Sequence, residues 1–150
     1  ELVEAGFSYV GTDVSSGLLA EAKKLNPGLS FFNQSVYELD FPENSFDGFW
    51  ASAVLLHIPK ARIDEAMQSL YRVVRNGGIG FITVKQGEGE KIELEEAQTP
   101  GVHERLFSYY SEDEFKDILA RNKFEVLESY IKPTQGRTTW LVFFVEIEKL

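Results

Sequence analysis

Apolar positions repeat along this chain at two spacings, and the alternation between them predicts the order of elements. Residues 1–5 read as the last turn of a helix closed at Gly6, and residues 7–12 form an apolar, β-prone run stopped by Asp13. Ser15 stands where an N-cap side chain accepts a backbone amide. Leu18, Leu19, Ala22 and Leu25 follow at helical spacing until Asn26-Pro27-Gly28 ends the run. Residues 29–32 begin a second strand, and 38–45 are turn-rich. Residues 46–56 then run almost continuously apolar, as expected of a strand with helices over both faces. Pro59 opens a helix on which Ile63, Met67, Leu70 and Val74 recur at intervals of 4, 3 and 4, and Asn76-Gly77-Gly78 halts it before a strand over 79–85.

The second half is patterned differently. Residues 86–100 are rich in Gly and Glu with few large apolar side chains, which predicts a long mobile loop. Ser111-x-x-Glu114 is a capping box for a helix carrying Phe115, Ile118 and Leu119 on one side. Two β-prone runs, 124–131 and 138–147, close the chain around Pro133 and Gly136. Strands alternating with helices and ending in two consecutive strands give an α/β domain over 1–150, with a mostly parallel sheet and an antiparallel finish.

Composition narrows the partners. The chain has 15 Lys and Arg against 24 Asp and Glu, a net charge of −9 with no basic cluster. That balance disfavours nucleic acid and anionic membrane surfaces and brings small molecules forward. No apolar run reaches the roughly 18 residues that cross a bilayer. The absence of cysteine excludes disulfides, thiolate metal sites and cysteine nucleophiles, and makes the cytoplasm the expected location. Opening without Met inside an expected helix, the sequence reads as a piece of a longer chain.

Asp13 is the most informative single residue, an acid directly after a strand and before a capped helix, where doubly wound sheets place a ribose-binding carboxylate. A turn or capping Asp is the alternative. Further motifs follow it in order: Gln34-Ser35-Val36, Phe41-Pro42, Ser45-Phe46-Asp47, Leu55-Leu56-His57, and Leu70-Tyr71-Arg72-Val73-Val74-Arg75-Asn76-Gly77-Gly78. Phe107-Ser108-Tyr109-Tyr110-Ser111, Asn122-Lys123-Phe124 and Trp140-Leu141 complete the series. Together they resemble the class I S-adenosylmethionine-dependent methyltransferases, in particular the small-molecule branch called type 11. The resemblance implies a Rossmann-like doubly wound sheet and methyl transfer from S-adenosylmethionine to a small-molecule acceptor. Two departures stand out. The family's first strand and glycine-rich loop have no counterpart here, and Ser35 stands where many members carry an acid facing the adenine amino group.

The resemblance implies cofactor contacts from Asp13 and Val14 at the ribose, Ser35 and Val36 at the adenine, and Ala51 and Ser52 at the amino-acid end. His57, just past a strand end, is the candidate catalytic base or orienting group, with helix-entry packing beside Pro59 as the alternative. Tyr109, Tyr110 and Trp140 are candidate acceptor-pocket walls, and Arg137 a candidate for an acidic acceptor; packing and an exposed turn are the plainer readings. His103 has no partner at ligand spacing, so no metal site is expected. Glu88, Glu90, Glu93, Glu95 and Glu96 read as a solvated face. A catalytically silent fold remnant or interaction module is the competing reading, and a nicotinamide-dependent oxidoreductase, which would also use Asp13, is a third. A sheet without its first strand leaves edges open to pair with each other or with a second chain, a possible homodimer.

Overall fold

The computed structural model describes residues 4–96, 102–136 and 138–149, and its side-chain description leaves out 95, 96, 102 and 103. The chain divides into two compact units, Glu1–Asp40 and Phe41–Leu150.

The first unit is a strand–helix–strand motif. Strand β1 (Val10–Asp13) is parallel to β2 (Ser30–Asn33), with Val10 opposite Ser30 and Asp13 opposite Asn33. Helix α1 (Ser16–Leu25) connects them. Its N-cap is Ser15, whose Oγ accepts the Leu18 amide at 3.3 Å, and Lys23 and Lys24 lie in the last turn, where positive charge suits the helix dipole. The strand expected over 7–12 is therefore shorter and shifted: residues 7–9 lie outside the ladder because β2 begins opposite Val10. Of the helix turn expected over 1–5, residues 1–3 fall outside the described residues, and 4–6 form a turn.

The second unit holds a six-stranded sheet. Strand β3 (Phe46–Ser52) leads through single 3-10 turns at Leu55–His57 and Lys60–Arg62 into α2 (Ile63–Val73). Then come β4 (Val74–Gln86), β5 (Glu90–Glu96), β6 (Val102–Tyr110), α3 (Glu112–Arg121), β7 (Phe124–Pro133) and β8 (Thr139–Ile147). The spatial order is β5-β6-β4-β8-β7, with β3 also on β4. β3 and β6 run parallel to β4, β3 along most of its length and β6 only at Lys85 and Gln86. β8 is antiparallel to both β4 and β7, the antiparallel finish expected from the sequence, and with β5 antiparallel to β6 the sheet of this unit is mixed rather than mostly parallel.

The core lies on one face of this sheet. Ile82 and Val84 of β4 and Leu141, Phe143 and Val145 of β8 are buried with Ile63, Ala66, Met67, Leu70 and Val73 of α2 and Phe115, Ile118 and Leu119 of α3. Phe115 meets Phe143 with ring centres 5.1 Å apart. The opposite face carries an aromatic row across three strands: Trp50 stacks on Phe81 at 4.0 Å, and Phe81 lies 5.1 Å from Phe144. Trp50 is 56% exposed.

Three sequence expectations change here. The loop expected over 86–100 holds β5, paired antiparallel with β6; Glu90-Lys91-Ile92-Glu93-Leu94 alternates with period two, and only 87–89 bend, while 97–101 lie outside the described residues. The strand expected to reach residue 56 stops at Ser52. There Ala53 turns left-handed, at φ 56°, and its amide donates to Thr83 Oγ1 at 2.9 Å, which takes the chain off the ladder and into the 3-10 turn. The helix expected to include Val74 stops at Val73, because Val74 is extended and pairs with Phe46. Gly77, at φ 76°, then sits in the irregular stretch where the β3–β4 register shifts.

Candidate functional site

In the first unit the candidate residues cluster at the carboxyl ends of β1 and β2. Asp13 ends β1, and its Oδ1 accepts the Ser15 amide at 2.8 Å, an Asx turn that fixes the carboxylate at the start of α1. The Gln34 amide donates to the Asp13 carbonyl at 3.1 Å and ties the two strand ends together. Oδ2 has no donor among the described residues, so the half-buried carboxylate keeps acceptor capacity for hydroxyl groups. Val14 beside it is exposed. Ser35 Oγ accepts the Tyr37 amide at 3.2 Å and the Ser35 carbonyl accepts the Glu38 amide, so one lone pair of that hydroxyl is already used locally. Val36 is half-buried at the tip of the same turn. A cavity of about 160 Å³ in this unit is lined by Asp13 and Thr12 and by Tyr9, Gly11, Leu18, Leu19, Ala22 and Phe31.

In the second unit the carboxyl ends of β3 and β4 form a second cluster. Ala51 is buried, and Ser52 Oγ lies 3.3 Å from Thr83 Oγ1 on the neighbouring strand. Thr83, itself buried, thus holds both Ser52 and the left-handed Ala53. Sequence reading passed over these two; a lone Thr inside a strand gives no signal of its own, and an αL alanine gives none at all.

His57 closes the 3-10 turn that follows. Its Nδ1 lies 3.0 Å from the Leu106 carbonyl, and its ring meets Phe107 edge-on at 4.8 Å. A carbonyl can only accept, so in the neutral ring the proton sits on Nδ1 and Nε2 is the basic nitrogen. The ring therefore packs on Phe107, and the Leu106 carbonyl fixes its tautomer.

The aromatic residues singled out in the sequence separate. Trp140 pairs with Lys85 across β8 and β4 at this carboxyl edge. Tyr109 Oη donates to Glu93 Oε1 at 2.5 Å, and burial followed by that hydrogen bond pushes its pKa up to about 12. Glu93 is therefore a partner rather than part of a solvated face. Tyr110 is wholly buried, its hydroxyl has no hydrogen-bond partner among the described residues, and its ring packs on Phe115 at 5.0 Å, so it belongs to the core. Burial, then the Glu114 and Glu90 charges, push its pKa upward. His103 lies on β6, not in a loop, and Arg137 is outside the described residues. Among the described residues no group of three or more acidic or imidazole side chains is placed to hold a metal ion, and no helix is long and apolar enough to cross a membrane.

A family model described as a methyltransferase domain matches residues 1–82. The chain belongs to that family. The fold agrees. A S-adenosylmethionine-dependent methyltransferase from Methanosarcina mazei superposes with a TM-score of 0.80 at 18% identity, over 99% of this chain and 86% of that one. The 1,6-didemethyltoxoflavin-N1-methyltransferase of Burkholderia thailandensis, solved with 1,6-didemethyltoxoflavin and S-adenosylhomocysteine, gives 0.76 at 20% identity over 98% and 64%. These likenesses confirm the Rossmann-like α/β class. Among curated proteins, the ubiquinone/menaquinone biosynthesis C-methyltransferase of Rhizobium rhizogenes is 39% identical over 59 residues, 39% of this chain and 22% of the relative. The demethylmenaquinone methyltransferase of Beutenbergia cavernae is 32% identical over 78 residues, 52% of this chain and 32% of the relative. The matches span between a fifth and a third of the length of these methyltransferases.

Proposed function

We propose that the methyltransferase chain forms one domain over 1–150 that binds S-adenosylmethionine and moves its methyl group to a small-molecule acceptor in the cytoplasm. The observation that carries this reading is Asp13: a carboxylate at the carboxyl end of β1, held through Oδ1 by the Ser15 amide, with Oδ2 able to accept from ribose hydroxyls. Val14 flanks it, Ser35 and Val36 stand at the end of β2 for the adenine edge, and Ala51 and Ser52 end β3 for the amino-acid end. When bound, the cofactor would supply an electrophilic sulfonium methyl group for transfer to an acceptor lone pair. The chain's own part is to hold and align, the kind of contribution worth roughly 7–11 kcal/mol when geometry is good. His57 Nε2 takes the acceptor's proton where the acceptor has one to lose. The names of the curated relatives support an acceptor of ubiquinone or menaquinone biosynthesis as a candidate. A second copy of the chain is a further partner, through the edges of β1 and β3, which have no second ladder partner among the described residues.

Calorimetric titration of S-adenosylhomocysteine into the chain and into Asp13→Ala tests this. Binding in the micromolar range that weakens at least about tenfold in the variant is expected, since a hydrogen bond to a charged group contributes about 1.5–3 kcal/mol. An absence of binding favours the second reading, a catalytically silent module. The nicotinamide reading shares Asp13 but leaves the family match unexplained.

A further inference from the structure

The chain has 24 acidic against 15 basic residues, and several of its cations are paired with carboxylates. Lys60 lies 2.6 Å from Glu114, Lys116 2.7 Å from Glu112, and Arg75 2.8 Å from Asp47. Lys85 is held by rings instead, as Lys91 is over Tyr109 and Lys149 over Tyr71, and of the three its ammonium lies nearest a ring centre. Its Nζ stands 4.1 Å from the centre of the Phe107 ring and 6.0 Å from that of Trp140, with no carboxylate paired to it among the described residues. The residue is half-buried rather than free in solvent. Its place is also informative. Lys85 lies near the carboxyl end of β4, opposite Tyr109 on one side and Trp140 on the other, two residues beyond Thr83, which faces Ser52. Phe107, which carries the ammonium, also meets the His57 ring at 4.8 Å.

Ring faces attract a positive charge but accept its N–H groups only weakly, so an ammonium held between aromatics keeps hydrogen-bonding capacity directed at oxygen. An anionic oxygen supplies what the rings do not, and flat walls favour a flat body behind it. We propose that Lys85 binds an anionic oxygen, carboxylate or phenolate, carried on the ring of a small aromatic acceptor, and so sets which acceptors reach the edge where His57 stands. The word acceptor rests on the methyl-transfer reading above; the anion site rests only on the Lys85, Phe107 and Trp140 geometry.

Three probes separate the possibilities: benzoate, 4-nitrophenolate and neutral benzamide, titrated into the chain with S-adenosylhomocysteine present and followed by ligand-detected NMR. At least one of the two anions is expected to bind about tenfold or more tightly than benzamide, the scale of a charge-assisted hydrogen bond. Benzoate alone would identify a carboxylate, and 4-nitrophenolate alone a phenolate. Lys85→Met should abolish the preference and Lys85→Arg retain it, with unchanged melting temperatures showing that packing is intact. A purely structural lysine would lower the melting temperature of Lys85→Met and leave any preference in place, which overturns the proposal. So does equal binding of all three probes, or no anion binding up to about 10 mM, the weak end of specific affinity. Titration of S-adenosylhomocysteine in the same samples keeps the two readings apart: its failure alongside a Lys85-dependent anion preference removes the methyl-transfer reading and leaves the anion site standing.

Discussion

His57 shows how one backbone carbonyl decides what a side chain can do. With Leu106 accepting at Nδ1, long-range nitrogen–proton NMR at a pH where the ring is neutral should find the Nδ1–H tautomer. Finding the proton on Nε2 would remove His57 as a base at that nitrogen. Asp64 carries a different kind of information. Arg121 donates to its two oxygens at 2.9 and 3.0 Å and Asn122 donates at 2.6 Å, and these bonds, Arg121 foremost, hold its carboxyl below the usual range. A depressed folded-state pKa adds stability that is fully present above the unfolded value near 3.9 and fades as pH falls through the folded value. The ion pair is half exposed, so its worth is about 1 kcal/mol or less. Asp64→Asn should therefore be slightly less stable than the parent chain at pH 7, by a margin that shrinks as pH falls below about 3.9, as read from urea melts across that range.

Among the elements, β3 and β4 approach so closely that a side chain at Gly48 or Gly80 would collide with the other strand. A Cβ on Gly48 would stand 2.3 Å from the Ile79 carbonyl oxygen, whereas one on Gly80 would meet the Phe49 ring at 2.2 Å. A ring can swing aside and a backbone oxygen cannot. Gly48→Ala should cost about 1–3 kcal/mol, as overpacking does, and more than Gly80→Ala; thermal denaturation of the two variants gives the order. The same level shows what the sequence made legible. Capped, periodic α1 and α3 and the antiparallel β7 and β8 are readable because local chemistry and burial agree. β5 is not, since its apolar residues Ile92 and Leu94 are both 70% exposed and composition alone resembles a loop. The end of β3 is unreadable for another reason: a hydroxyl 30 positions away, on Thr83, decides where the strand stops. For the candidate site, Asp13 and His57 could be found from neighbours in the sequence, while Lys85 depends on rings supplied by β6 and β8 and has no local signature.

For the whole molecule, charge and edges act against each other. Among the described residues β1 pairs only with β2 and β3 only with β4, which leaves backbone groups able to form a ladder with another chain. Two copies, each at −9, repel over distances that salt shortens to roughly 8 Å at physiological ionic strength. If a homodimer forms through those edges, light scattering should show the mass moving from 17.0 kDa toward twice that value as salt is raised. A constant 17.0 kDa at every salt and protein concentration would count against it.

The aromatic row has an optical consequence. The chain contains two tryptophans, and they stand in unlike surroundings: Trp50 is stacked on Phe81 and more than half exposed, while Trp140 is half-buried beside the Lys85 ammonium. Each indole is thus a separate emitter with its own solvent contact. With Trp50→Phe, the remaining tryptophan fluorescence comes from Trp140 alone, and a dye or quencher titration then reads the Lys85 edge without labelling the protein.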